Sequence, residues 1–220
     1  MTERVPDPDA ADRSEAPALA PVYPIVDNAD WVTRLLPVGV RLIQLRIKQM
    51  DAAQLREQIV AARDRCAAFE AQLIVNDHWQ LALELGCDYV HLGQQDLDEC
   101  DLKGLRARGV RLGVSTHDDA ELERALALKP DYIALGPIYP TLLKQMPWQP
   151  QGLARLAEWK RRIGDIPLVA IGGLTLERLG GVFSAGADSA AVVTDIVRHA
   201  QPEQRMQQWL IETNRLTARG

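Results

Sequence analysis

No apolar run in the 220-residue sequence approaches the roughly 20 residues that a membrane-spanning helix requires. The opening stretch, MTERVPDPDAADRSEAPALA, lacks the apolar centre of a signal peptide. Its proline and acid content fits a disordered tail over residues 1–20, with a single domain over 21–220. Cysteine is scarce: Cys66, Cys87 and Cys100 have no metal-ligand spacing and leave one over from any pairing, which excludes a disulfide framework and a zinc site. A reducing compartment, the cytoplasm, is the expectation. Excess positive charge is also missing, with 25 Lys and Arg against 30 Asp and Glu, a net charge of -5. Duplex binding depends on a basic face that neutralises phosphates, so a nucleic-acid partner is not expected. Small-molecule substrates are, and a homo-oligomer is compatible with the sequence.

What the sequence does contain is 47% apolar residues arranged in a repeating pattern. From Val22 onward, short apolar runs alternate with longer segments of helical period, the mark of repeated βα units. Eight strands are expected: Val22–Val26, Leu42–Lys48, Gln72–Asn76, Tyr89–Gly93, Arg111–Ser115, Tyr132–Pro137, Pro167–Gly172 and Ser189–Thr194. Leu55, Ile59, Ala62, Cys66 and Phe69 recur along one face of a helix between Asp51 and Phe69. Asp118 with Glu121 three residues on forms a capping box for another. The first βα turn, Asp27-Asn28-Ala29-Asp30, has none of the glycines of a dinucleotide fingerprint, which disfavours an open Rossmann sheet. Eight βα pairs in this length instead predict an α/β fold, a (β/α)8 TIM barrel in one domain.

Active sites of such barrels lie at the strand C-termini, so polar residues there carry the weight. Alternation in the second strand puts Gln44, Arg46 and Lys48 on one face, with Leu45 and Ile47 on the other. A buried cation is costly without a partner, which favours an anion site over charges that reach for solvent. Asn76 and Asp77 end the third strand; they either cap the next helix or serve the site. Asp96, after the fourth strand, fits an Asx turn or, paired with Asp77, the hard oxygen donors that magnesium takes alongside water and phosphate. His91 is expected to be a hydrogen-bonded core residue. Ser115 either caps a helix or offers its hydroxyl to a phosphate. The long loop after the sixth strand, Tyr139 to Gly152, has the length of a lid or binding loop. Lys144 within it fits either a solvated or a binding role, and Trp148 fits a packing role. Gly172-Gly173 and Val193-Thr194 end strands seven and eight, where barrels often bind a phosphate through backbone N–H groups.

Together, Gln44-Leu-Arg-Ile-Lys48, Asn76-Asp77, His91-Leu-Gly-Gln-Gln-Asp96, Leu112-Gly-Val-Ser-Thr-His-Asp118, Ala134-Leu-Gly-Pro137, Lys144-Gln-Met-Pro147 and Ala170-Ile-Gly-Gly173 resemble the thiamine phosphate synthase family, in its order and over Val22 to about Gln208. The resemblance implies a transferase of thiamine biosynthesis that joins hydroxymethylpyrimidine diphosphate to a thiazole phosphate or its carboxylate. By that analogy Gln44, Leu45, Arg46, Ile47, Lys48, Asn76, Ser115 and Lys144 bind the pyrimidine diphosphate, with Arg46, Lys48, Ser115 and Lys144 serving catalysis. Asp77 and Asp96 hold magnesium. Thr141, Leu142, Leu143, Gly173, Val193 and Thr194 bind the thiazole phosphate. The family usually has a second threonine where this chain has Leu143. A lost hydrogen bond to a charged group costs roughly 1.5–3 kcal/mol, about one to two orders of magnitude in affinity. Two rival readings are a thiazole tautomerase-like barrel without the diphosphate machinery and a non-catalytic barrel that binds thiamine intermediates. The retained Arg46, Lys48, Asp77, Asp96 and Lys144 oppose the first; Leu143 is the one hint of the second.

Overall fold

The computed structural model describes residues 19–141 and 148–218. Eight parallel strands close in sequence order into a barrel, β1 pairing with both β2 and β8. They are β1 (Val22–Val26), β2 (Leu42–Leu45), β3 (Gln72–Asn76), β4 (Tyr89–Leu92), β5 (Arg111–Thr116), β6 (Tyr132–Leu135), β7 (Leu168–Ile171) and β8 (Ser189–Val192). β1 and β3 match the expected limits. β2, β4, β6, β7 and β8 stop short, because alternation and apolar character persist past the last ladder hydrogen bond. Arg46 and Lys48 therefore stand on the loop above β2, whose first residue is pinned when the Arg46 N–H donates to the Val26 carbonyl at 2.7 Å.

Outside the barrel lie α1 (Ala29–Leu35), α2 (Ala52–Ala68), α3 (Trp79–Glu84), α4 (Asp96–Glu99), α5 (Leu102–Ala107), α6 (Asp119–Ala127), α7 (Gly152–Ile163), α8 (Leu179–Ser184), α9 (Thr194–Val197) and α10 (Pro202–Thr217). α2 buries Leu55, Ile59, Ala62 and Cys66, and the Asp51 carboxylate caps it by accepting from the Ala53 and Gln54 N–H groups. Asp118 caps α6 by accepting from Glu121 N–H, while Glu121 reaches one residue further back than a capping box, to the His117 N–H. None of the described helices is long and apolar enough to cross a membrane.

Period two divides the strand side chains between two cores. Ile43, Leu45, Leu73, Val75, Val90, Leu92, Leu112 and Val114 pack outward against helix residues such as Ile59, Leu122 and Trp159. Tyr23, Ile25, Leu42, Ile74, Tyr89, Tyr132, Ala134, Val169 and Ala191 fill the barrel interior. Leu19 and Ala20, the end of the expected tail, instead pack on that inner core, and the Ala20 carbonyl accepts from Ser189 Oγ at 2.7 Å.

Candidate active site

One cavity of about 990 Å³ opens at the C-terminal mouth of the barrel. The inward positions that continue above the tyrosines are polar: Gln44 on β2, Asn76 on β3, His91 on β4 and Ser115 on β5, the first three buried. All four line the cavity, joined on the same side by Arg46, Lys48, Asp77 and Asp96. Thr141, Gly173 and Val193 line it from the loops above β6, β7 and β8, and Thr194 from the first residue of α9. Leu45 and Ile47 do not; pleating turns both into the outer core, and only the Ile47 carbonyl has a part, accepting from His78 Nε2 at 2.8 Å. Leu142, Leu143 and Lys144 lie outside the described residues.

Local geometry decides several open alternatives. Asn76 and Asp77 do not cap α3, whose N-cap residue is His78 and which has no side-chain cap. Asp77 takes a left-handed φ of 63°, sparsely used by non-glycine residues, fixed as its N–H donates to the His91 carbonyl at 3.0 Å. Burial, and then the charge of Asp96, push the Asp77 carboxyl above its ordinary range, against the pull of Lys48, Arg46 and His78. Asp96 opens α4, and its Oδ2 accepts from the Gly93 N–H at 3.1 Å; a Cβ at Gly93 would lie 3.0 Å from that oxygen. Ser115 sits inside β5, leaving the cap of α6 to Asp118. His91 is buried and hydrogen-bonded as expected, with Nε2 2.8 Å from Ser115 Oγ.

Gly172 and Gly173 have φ of 98° and 64°. A Cβ on either would fall 2.6 Å from Pro137 Cα or 2.5 Å from the Pro140 carbonyl oxygen, so both the backbone turn and the close approach require glycine. The sequence pattern did not single out Arg178 and Arg198, which also line this side. Arg178 lies over the Tyr139 ring, 4.3 Å from its centroid, and donates to the Gly173 carbonyl. Its signal was its place, a cation in the loop that follows a barrel strand.

A sequence profile described as thiamine monophosphate synthase matches residues 22–196. The chain belongs to the thiamine monophosphate synthase family. It is 59% identical over 195 residues to a thiamine-phosphate synthase of Rhizobium etli, covering 89% of this chain and 96% of that one. It is 51% identical over 179 residues to the thiamine-phosphate synthase of Salmonella choleraesuis, covering 81% and 85%. In fold it is similar to a thiamine phosphate pyrophosphorylase of Pyrococcus furiosus, with a TM-score of 0.79 at 24% identity over 89% of this chain and 96% of that one.

The family resemblance implies magnesium, and the donor set fits it. Asp77 and Asp96 are two carboxylates within each other's field, and no group of three acids, histidines or cysteines occurs among the described residues. Two hard oxygen donors at the rim of one cavity suit magnesium, which keeps several waters and shares substrate oxygens.

Proposed function

We propose that this chain is a magnesium-dependent thiamine-phosphate synthase that joins hydroxymethylpyrimidine diphosphate to thiazole phosphate, releasing thiamine phosphate and diphosphate. With the carboxylated thiazole, carbon dioxide leaves as well. The observation that carries this reading is one cavity with two unlike sides. Arg46, Lys48, Asp77, Asp96 and Ser115 line the β2–β5 side, and Gly173, Val193 and Thr194 line the β7–β8 side.

The bond to be broken joins the pyrimidine methylene carbon to a diphosphate oxygen. Its electron pair leaves with the diphosphate, and the electron-rich pyrimidine delocalises the cation that remains. Magnesium held by Asp77 and Asp96 would supply Lewis-acid stabilisation of the leaving group. Arg46 and Lys48 offer positive charge to the same oxygens, the kind of preorganised electrostatics that contributes several kcal/mol, and the family resemblance adds Lys144. The thiazole nitrogen then donates its lone pair to the methylene carbon. No protein nucleophile is needed, and the second side of the cavity acts by proximity, its backbone around Gly173 and Val193 holding the thiazole phosphate.

A tautomerase-like barrel has no use for the cations and paired carboxylates that line this cavity, which favours the synthase. The cytoplasm suits an enzyme with unpaired cysteines. The test is release of diphosphate by the purified chain supplied with both substrates and magnesium. Coupling well above background is expected, and none would sink the proposal.

A further inference from the structure

A chain of five side chains crosses the inside of the barrel below the cavity. Gln44 Nε2 lies 2.7 Å from the Tyr23 hydroxyl, which lies 2.8 Å from the Tyr132 hydroxyl. Tyr132 Oη is 2.6 Å from His91 Nδ1, and His91 Nε2 is 2.8 Å from Ser115 Oγ. The two ends, Gln44 and Ser115, line the cavity on β2 and β5. The middle of the chain is buried, where an unpaired polar group would be costly.

Counting protons gives the chain a direction. An amide nitrogen only donates, so Tyr23 accepts from Gln44, and the one proton of this buried hydroxyl finds a partner only in Tyr132. Tyr132 then spends its own on His91 Nδ1. A neutral imidazole with Nδ1 accepting carries its proton on Nε2, which donates to Ser115 Oγ. The Ser115 hydroxyl proton is thereby left for the cavity, and so is the Gln44 carbonyl oxygen.

We propose that Tyr23, Tyr132 and His91 are positioning residues that make Ser115 a hydrogen-bond donor and Gln44 an acceptor toward the pyrimidine diphosphate. The inference rests on the functional reading above. It extends that reading to three residues of which Tyr132 is not even a cavity wall. The seat of Tyr132 is built for a fixed ring. It stacks on His91 with centroids 5.5 Å apart and 14° between planes, and it meets Tyr23 edge-on at 5.9 Å and 88°. The ring also covers Gly113, where a Cβ would come within 2.1 Å of Tyr132 Cζ. From outside the chain, Gln94 Nε2 holds the Ser115 carbonyl at 2.7 Å.

The opposite polarity is a definite alternative state. If Gln44 presented its carbonyl to Tyr23, every donor would reverse, His91 would carry its proton on Nδ1, and Ser115 would spend its hydroxyl proton on the ring. Nitrogen NMR of the ¹⁵N-histidine-labelled full chain separates the two. Only four histidines are present, and a His91→Phe variant assigns the resonance. The expected result is a bare Nδ1 and a protonated Nε2; the reverse tautomer overturns the proposal, whatever the activity. The kinetic arm uses a double-mutant cycle. Tyr132→Phe should lower kcat/KM for the pyrimidine diphosphate by about tenfold in the native background. With Ser115→Ala already present, it should change it by less than about twofold. Equal losses in both backgrounds would mean that Tyr132 does not act through Ser115. Should Tyr132→Phe fail to fold, Tyr23→Phe breaks the same chain one link away and is read the same way. Absence of coupling by the native chain would refute the synthase reading, and the tautomer would still judge the relay.

Discussion

His117 and Trp148 lie face to face, with ring centroids 5.1 Å apart and planes 10° from parallel. The stack fastens the far end of the loop after β6 to the mouth of β5. Gln151 reinforces it, its Nε2 donating to the His117 carbonyl at 2.9 Å, while Glu121 accepts from both the backbone N–H and Nδ1 of His117 at 2.7 and 2.8 Å. Stacked rings contribute about 0.5–1.5 kcal/mol beyond their burial. Trp148→Ala should therefore leave the melting temperature nearly unchanged yet raise KM for both substrates several-fold, since Thr141 and Lys144 ride on that loop. Steady-state kinetics with each substrate varied in turn would check this; an unchanged pair of KM values would mean that the loop is held elsewhere.

Asp77 pays a folding penalty that its proposed metal would relieve. Its carboxyl is raised above the usual range by burial and by Asp96, so the folded chain holds a proton there more readily than the unfolded chain does. Charge at this position is destabilising at neutral pH and ceases to be as pH falls through the raised value. Asp77→Asn, which tolerates the left-handed φ, should raise the metal-free melting temperature at neutral pH, by a margin that shrinks toward acid. Magnesium should stabilise the native chain and not the variant. Turnover should drop by orders of magnitude in both Asp77→Asn and Asp96→Ala, and unchanged rates would remove the metal role.

Leu143 has no hydroxyl to offer a phosphate. Leu143→Thr should lower the apparent KM for the thiazole phosphate by about tenfold with little change for the pyrimidine diphosphate. An unchanged value would place the missing hydrogen bond on another donor, with Arg178 and Arg198, the cations that line that side, to test by substitution.

Burial, then the charges of Arg46 and His117, push the His91 imidazole down to about 3 from 6.5. The neutral ring is what the fold requires. Stability from this group is complete above about pH 6.5 and is lost as pH falls toward about 3, because the unfolded chain takes up a proton that the folded chain refuses. Denaturation midpoints of His91→Gln should fall less steeply than those of the native chain from about pH 7 to about pH 4. Parallel slopes would count against a buried neutral histidine.

Much of this was legible in the sequence because the barrel repeats a local rule. Alternation in Gln44-Leu45-Arg46-Ile47-Lys48 separated the polar face from the apolar one, and the structure keeps that separation. Apolar period marked the start of α2, and a capping box that of α6, each within a residue. What escaped depends on closure. Tyr23 and Tyr132 are 109 positions apart, and each looks like an ordinary apolar strand residue until the barrel brings their hydroxyls together. The backbone of Asp77 is set by the neighbouring strand through the His91 carbonyl, which no local pattern encodes. The ends of β2, β4, β6, β7 and β8 were overextended because side-chain alternation continues where the ladder has already ended.

The bare α-carbon of Gly113 is the space in which the Tyr132 ring rests. A search for inactive variants would accordingly return position 113, although Gly113 does not line the cavity. A single added methyl group there would evict an aromatic ring, and the loss of activity would be traced to a residue with no chemistry of its own.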